Sequence, residues 1–133
     1  MTDFEFTTEV QIRYKDLDPW DHVNNGVFGS YMEEGRSAYL DAVLGERKDL
    51  RSFVLAHLEI DFERPVFYED DLLVAVRTAA VGTSSLTLAY ELRTGDGVAA
   101  TGETTQVHMG ADDSPTPLPA AWRESIERFE PGL

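Results

Sequence analysis

One stretch of this chain has the period of a helix, and nearly everything around it has the period of a strand. From Val27 to Val43, apolar residues recur three and four positions apart: Val27, Tyr31, Gly35, Ala38 and Ala42, flanked by Phe28, Met32, Tyr39 and Val43. That spacing predicts a long helix with a wide buried stripe. Gly45 offers a C-terminal stop, and Asn24 or Asn25 offers a side-chain oxygen to the unpaired N–H groups of the first turn. Before it, Phe4, Phe6, Thr8, Val10, Ile12 and Tyr14 alternate with Glu5, Thr7, Glu9, Gln11 and Arg13, which predicts a strand with one wet face. After it come a charged turn, Glu46 to Arg51, and four more candidate strands: Phe53 to Phe62, Leu72 to Val81, Ser85 to Thr94 and Val98 to His108. Gly95-Asp96-Gly97 joins the last two as a hairpin. Pro115, Pro117 and Pro119 then break the chain, and Trp122, Ile126 and Phe129 fall at helical spacing in a short terminal segment.

A single central helix with hairpin-compatible strands implies an α+β arrangement, a largely antiparallel sheet wrapped around or packed on that helix. One sheet on one helix leaves the sheet's outer face uncovered, so a homodimer or homotetramer is expected. The 133 residues fit one domain, 1–133, and can bury a substantial core. No apolar run approaches the ~18 residues of a membrane span, and Met1 to Phe6 lacks the basic and apolar pattern of a secretory signal. The expectation is therefore a cytoplasmic protein that does not engage membranes. The absence of cysteine excludes disulfides, a cysteine nucleophile and thiolate metal sites.

The segment between the first strand and the helix, Lys15 to Asn24, has no sustained period and gathers Asp16, Asp18, Asp21, His22 and Asn24 with Pro19 and Trp20. The first N–H groups of a helix lack internal partners and carry the positive end of its dipole. A carbonyl oxygen that gains negative charge is stabilised there. A carboxylate a few residues earlier can attack that carbonyl or activate water. These are the minimum parts for acyl transfer. The same composition also makes an ordinary capped turn.

The spacing is more telling. Tyr14-x-Asp16-x-Asp18-x-x-x-His22-Val23-Asn24-Asn25, followed by Tyr31-x-Glu33-x-Gly35-Arg36, closely resembles the signature of the 4-hydroxybenzoyl-CoA thioesterase-like family. Asp61-Phe62-x-Arg64-Pro65-x-x-Tyr68-x-Asp70, then Ser84-Ser85-Leu86, then Gly97-x-x-Ala100-Thr101-Gly102 extend the resemblance in order, from about Thr8 to Leu118.

The resemblance implies a hotdog fold, with a curved antiparallel sheet around the long helix and two subunits joined edge to edge with active sites at their interface. It implies hydrolysis of an acyl-CoA thioester to free acid and CoA, with no cofactor and no metal. By position, Asp18 is the catalytic carboxylate, as nucleophile or as general base on water, and the backbone N–H at or next to Asn25 polarises the thioester carbonyl. His22 and Asn24 shape the loop or contact substrate. Phe28, Tyr31 and Phe62 are expected to line the acyl pocket. Asp16 is assigned to structure, and Glu33 with Arg36 to an intrahelical pair, although some relatives carry their carboxylate on the helix, where Glu33 stands.

Three positions depart from the pattern. The glycine common before the histidine is Asp21, the glycine between Tyr68 and Asp70 is Glu69, and the helix alanine is Gly35. The basic residues that relatives bring to the CoA phosphates are replaced by Gly82, Thr83, Ser84 and Ser85, which leaves hydroxyls, backbone, or arginines such as Arg64 or Arg77. A serine hydrolase is disfavoured by the lack of a G-x-S-x-G elbow. A metal enzyme is disfavoured by the scatter of His22, His57 and His108. A hotdog dehydratase would place its histidine and carboxylate differently. The competing reading is a hotdog protein that binds an acyl group or a partner without hydrolysing it.

The net charge of −14 sets 25 acidic residues against 11 basic ones, so nucleic acid is a poor partner, and an acidic acyl carrier protein would be repelled. Self-repulsion of that size is screened at molar salt, where the Debye length is about 3 Å, which suggests salt adaptation. Thermal unfolding scanned against KCl is expected to show a rising midpoint; a flat response would argue against adaptation.

Overall fold

The structure is a computed structural model that describes residues 4–45 and 52–133; the charged turn expected over residues 46–51 lies outside the described residues. Five strands, β1 (Phe6–Val10), β2 (Phe53–Phe62), β3 (Leu72–Val81), β4 (Ser85–Thr94) and β5 (Gly97–His108), form one antiparallel sheet in the order β1-β3-β4-β5-β2. A long helix, α1 (Phe28–Leu44), lies against the sheet, and a shorter one, α2 (Ala120–Phe129), closes the chain. The α+β arrangement read from the sequence is the one observed.

Burial on β4 alternates along the strand, with Leu86, Leu88, Tyr90 and Leu92 inside. These side chains and Val74 and Val76 of β3 meet the α1 stripe of Phe28, Tyr31, Met32, Gly35, Tyr39, Leu40 and Val43. Gly35 is where the two layers come closest. A Cβ there would sit 2.5 Å from Val74 Cγ1, so the valine methyl occupies the space an alanine would need. The helix ends at Gly45, which takes φ 80°.

The first strand is shorter than its alternation suggested. Pairing with β3 stops at Val10↔Leu72, because Leu72 is where β3 begins. Ile12 remains buried beyond that point. The period-two pattern there reports burial, not ladder hydrogen bonds. At its other end β1 pairs only as far as Val76, so the next inward residue of β3, Thr78, presents its N–H to no strand on that side among the described residues. The carboxylate of Glu130, just past α2, accepts from that N–H at 3.0 Å and from the Tyr39 hydroxyl at 2.6 Å. Tyr39 also meets Phe6 and Phe129 edge to face. Burial, and then the Glu130 carboxylate, hold the Tyr39 phenol protonated far above its ordinary range.

The opposite edge is bare. On β2 the large apolar residues Val54, Leu55, Leu58 and Phe62 are each roughly half exposed, and among the described residues no strand pairs with β2 on the side away from β5.

Gly35→Ala brings a methyl against Val74 while gaining about 1 kcal/mol of helix propensity, against an overpacking cost of about 1–3 kcal/mol. A net loss of stability is expected in urea titration. Combined with Val74→Ala it should cost less than the sum of the single changes, by roughly 1 kcal/mol or more.

Candidate active site

The segment expected as a structured loop is built around two carboxylates with different employments. Residues Tyr14–Asp16 make one turn of 3-10 helix, which turns the Asp16 side chain inward to 3% exposure. Its carboxylate accepts from the Arg13 N–H at 3.0 Å, from the Arg13 guanidinium at 3.2 Å and from the Tyr31 hydroxyl at 2.8 Å. The Asp16 carbonyl accepts from the Asn24 N–H at 2.8 Å. Burial alone would raise the Asp16 pKa, but the Arg13 N–H, the Tyr31 hydroxyl and the Arg13 guanidinium outweigh it and hold the carboxyl below the ordinary value of 3.8. The same contact, after burial itself, pushes the Tyr31 phenol upward.

Asp18 sits on the projecting part of the loop. Leu17 and Val23 form a bridge pair, the Asp18 N–H donates to the His22 carbonyl at 2.7 Å, and the Asp21 N–H returns to the Asp18 carbonyl at 3.1 Å. Asp18 Oδ1 accepts from the N–H groups of Trp20 at 2.9 Å and His22 at 3.2 Å. Its Oδ2 accepts no hydrogen bond among the described residues. The carboxylate is therefore held by one oxygen and presents the other. Asp21 has φ 64°, the left-handed region that glycine favours and aspartate tolerates, so aspartate here holds a turn that glycine would also allow. The Asp21 side chain points into solvent.

The helix starts through a second 3-10 turn, Asn25–Val27, that runs into α1. Asn24 is the cap: its side-chain oxygen accepts from the Gly26 N–H at 2.8 Å, and its carbonyl accepts from the Val27 N–H at 2.9 Å. The Asn25 N–H, between them, has no acceptor among the described residues. This N–H lies in the turn that leads into α1, at the positive end of the helix dipole.

The remaining candidates are distributed as follows. The His22 ring packs edge to face on Phe67, 5.2 Å between centroids, and its backbone bridges to that residue. Phe28 and Tyr31 are each 1% exposed, beneath the site, and the Tyr31 hydroxyl is committed to Asp16. Of the three aromatic residues, Phe62 alone presents surface, with Phe28 edge-on behind it at 5.0 Å. Trp20 and Tyr14 are largely exposed around Asp18, and Tyr14 meets Tyr68 edge to face. Glu33 and Arg36 form the helical pair, at 3.8 Å, and Arg36 also donates to the Tyr90 hydroxyl at 3.2 Å. Arg77 lies over the Phe4 ring, and Arg64 donates to the Asp96 carbonyl. His57 pairs with Glu59, and His108 bonds the carbonyls of Thr116 and Pro117. No group of three or more His, Asp or Glu residues converges as a metal cage among the described residues.

Sequence reasoning missed the polar floor beneath α1, where Arg36, Tyr90 and Thr104 are linked and Gln106 lies beside them. The signal was available: Thr104 and Gln106 occupy the face of β5 that should be apolar.

Tyr31→Phe removes a donor to a buried ionised carboxyl and is expected to cost about 1.5–3 kcal/mol at neutral pH by denaturant titration. The Asp16 pKa is lowered by folding, so the stability tied to its ionisation is present above the ordinary value of 3.8 and is lost as pH falls from there through the folded pKa. The gap between wild type and Tyr31→Phe should therefore narrow below that pH.

The model of the Thioesterase superfamily matches residues 21–101, from Asp21, three residues after Asp18, into β5. A thioesterase from Thermus thermophilus, solved with coenzyme A and Zn, superposes with a TM-score of 0.89 at 37% identity, over 98% of each chain. A predicted thioesterase from Bacillus stearothermophilus superposes with a TM-score of 0.83 at 26% identity, over 92% of this chain and 94% of that one. The uncharacterized protein YsmA of Bacillus subtilis (strain 168) is 36% identical over 91 residues, which is 67% of this chain and 61% of YsmA. The family model takes in the helix start at Asn25, α1 and strands β2 to β4, and the Thermus thermophilus superposition spans 98% of this chain: the chain belongs to the thioesterase superfamily and has its hotdog fold.

Proposed function

We propose that the protein hydrolyses an acyl-CoA thioester to the free acid and CoA. The observation that carries this reading is the pairing of Asp18, held through Oδ1 and open at Oδ2, with an unused Asn25 N–H at the start of α1. The thioester carbonyl oxygen would lie on the Asn25 N–H, where charge developing in the tetrahedral intermediate is stabilised without reorganisation. Asp18 Oδ2 would attack the carbonyl carbon, or take a proton from the water that does. Thiolate departure gives CoA in either case; when Asp18 is the nucleophile it leaves an acyl-Asp18 anhydride, which water then hydrolyses to release the acid and restore the carboxylate. His22 and Asn24 would contact substrate from the loop. Phe62, backed by Phe28, would meet the acyl group, while Tyr31 acts through Asp16 to hold the loop in place.

The bare β2 edge supports a second copy of the chain as the partner. Its row of unpaired backbone groups and half-exposed side chains, Val54, Leu55, Leu58 and Phe62, is what an edge-to-edge dimer would cover, and Phe62 lies at its end beside the site. Among the described residues no helix is long and apolar enough to cross a membrane.

Release of free CoA from a panel of acyl-CoAs tests the reading. Asp18→Asn is expected to lower kcat by roughly 100-fold or more. Equal release by wild type and Asp18→Asn would refute the role of Asp18. Tight binding without release from any member of the panel would favour the acyl-binding module.

A further inference from the structure

The concave face of the sheet is not apolar throughout. On β5 the inward positions run Ala100, Gly102, Thr104 and Gln106, opposite Leu92, Tyr90, Leu88 and Leu86 of β4. The Thr104 hydroxyl is paired with the Tyr90 hydroxyl at 2.6 Å, and that hydroxyl accepts from Arg36. Gln106 differs. It is 3% exposed, and neither its Nε2 nor its Oε1 has a partner among the described residues. A buried amide with an idle donor and an idle acceptor opposes folding, and an apolar side chain of similar size would avoid the cost.

Gln106 also lies against an open groove of about 360 Å³ between α1 and β2. Arg36, Ser37 and Leu40 line one wall, Phe53 and Leu55 the other, and Glu33 stands at the rim. The groove begins at Glu33, eight positions after Asn25, so about 12 Å along the helix at roughly 1.5 Å per residue. A group recognised here is at the far end of an acyl chain, not beside the thioester.

We propose that this groove takes the distal end of the acyl group and that Gln106 recognises a hydroxyl carried there. The inference rests on the acyl-CoA hydrolysis proposed above and names the class of acyl group. A hydroxyl donates one hydrogen bond and accepts others, which matches an amide offering Oε1 as acceptor and Nε2 as donor. Arg36, with guanidinium N–H groups beyond the one given to Tyr90, supplies a second donor on the wall. A carboxylate satisfies the donors but sets its charge against the idle Oε1 and against Glu33 at the rim. A terminal methyl leaves both amide atoms idle. A second copy of the chain along β2 would pair with the strand edge and cover Leu55 and Leu58, which does not satisfy an amide on β5.

The experiment compares kcat/KM within matched pairs, benzoyl-CoA with hydroxybenzoyl-CoA, octanoyl-CoA with ω-hydroxyoctanoyl-CoA and decanoyl-CoA with ω-hydroxydecanoyl-CoA. Wild type is expected to favour the hydroxylated member of an ω-hydroxyacyl pair by about 10-fold or more, since a site built to bond a hydroxyl discriminates strongly against its absence. Gln106→Met, close in volume, should bring that ratio to near one, and its melting temperature should be unchanged or higher because the idle amide is gone. Gln106→Leu provides the same reading. Hydrolysis of every pair without preference overturns the inference while leaving the activity intact. So does a preference that survives in both variants, or an equal loss on both members, which is what an amide satisfied by a structural water would give. If wild type releases no CoA from any member, the proposed hydrolysis fails, and the affinities of wild type and Gln106→Met for decanoyl-CoA and ω-hydroxydecanoyl-CoA, by calorimetry, still judge Gln106: equal affinities overturn it, and a Gln106-dependent preference supports it.

Discussion

The buried carboxylate of Asp16 is the constraint on which the site depends. It draws on the Arg13 backbone, the Arg13 guanidinium and the Tyr31 hydroxyl, while its own carbonyl receives the Asn24 N–H. Those contacts tie the end of the β1 segment, the loop and the body of α1 to one point. A charge taken this far out of water is tolerable only when its hydrogen bonds are filled, so the loop cannot relax without exposing or orphaning it. With both flanks pinned, Asp18 is carried on a short projecting turn in which backbone N–H groups fix one of its oxygens. Preorganisation of this kind costs nothing at the moment of reaction, which suits the role proposed for Asp18.

The sheet supplies the rest of the frame, and its two edges are treated differently. Beyond β1 the ladder is finished by side chains: Glu130 and Tyr39 take the Thr78 N–H that no strand reaches, and α2 covers the gap. At β2 nothing among the described residues takes that role, and large apolar side chains stand half exposed along it. An edge left open in this way among the described residues is the observation behind the proposed second copy of the chain. In the proposed dimer, Phe62 on that edge and the groove beside Leu55 would lie at or near the seam.

Most elements were legible in the sequence because period is a local signal. The bounds of β2, β3 and β4 were read to the residue, the helix stop at Gly45 and the Asn24 cap were visible as residue types, and the spacing of the Asp18 loop carried the family. The misreading of β1 has a physical source: Ile12 alternates because it is buried, whereas pairing ended where β3 begins. The Tyr39, Thr78 and Glu130 cluster was invisible because its members are far apart in the chain and each is ordinary alone. The polar floor of Thr104 and Gln106 lay in view as a break in an apolar face, but a break in a pattern does not say what it faces.

What the sequence determined by itself was the set of elements, the antiparallel sheet around one helix, the family, and the choice of Asp18 and Asn25 as the groups to watch. The elements follow from spacing along the chain, which backbone geometry converts directly into faces and turns, whereas Asp18 and Asn25 were picked out by the family resemblance. Only the tertiary structure decided that Asp16 is buried and spent, that Tyr31 is taken by the loop, and that among the described residues Asp18 keeps one oxygen open and Gln106 lies unpaired against a groove. Each of those depends on which distant atoms share hydrogen bonds and which are shut off from water, and that is settled only when the sheet closes on the helix.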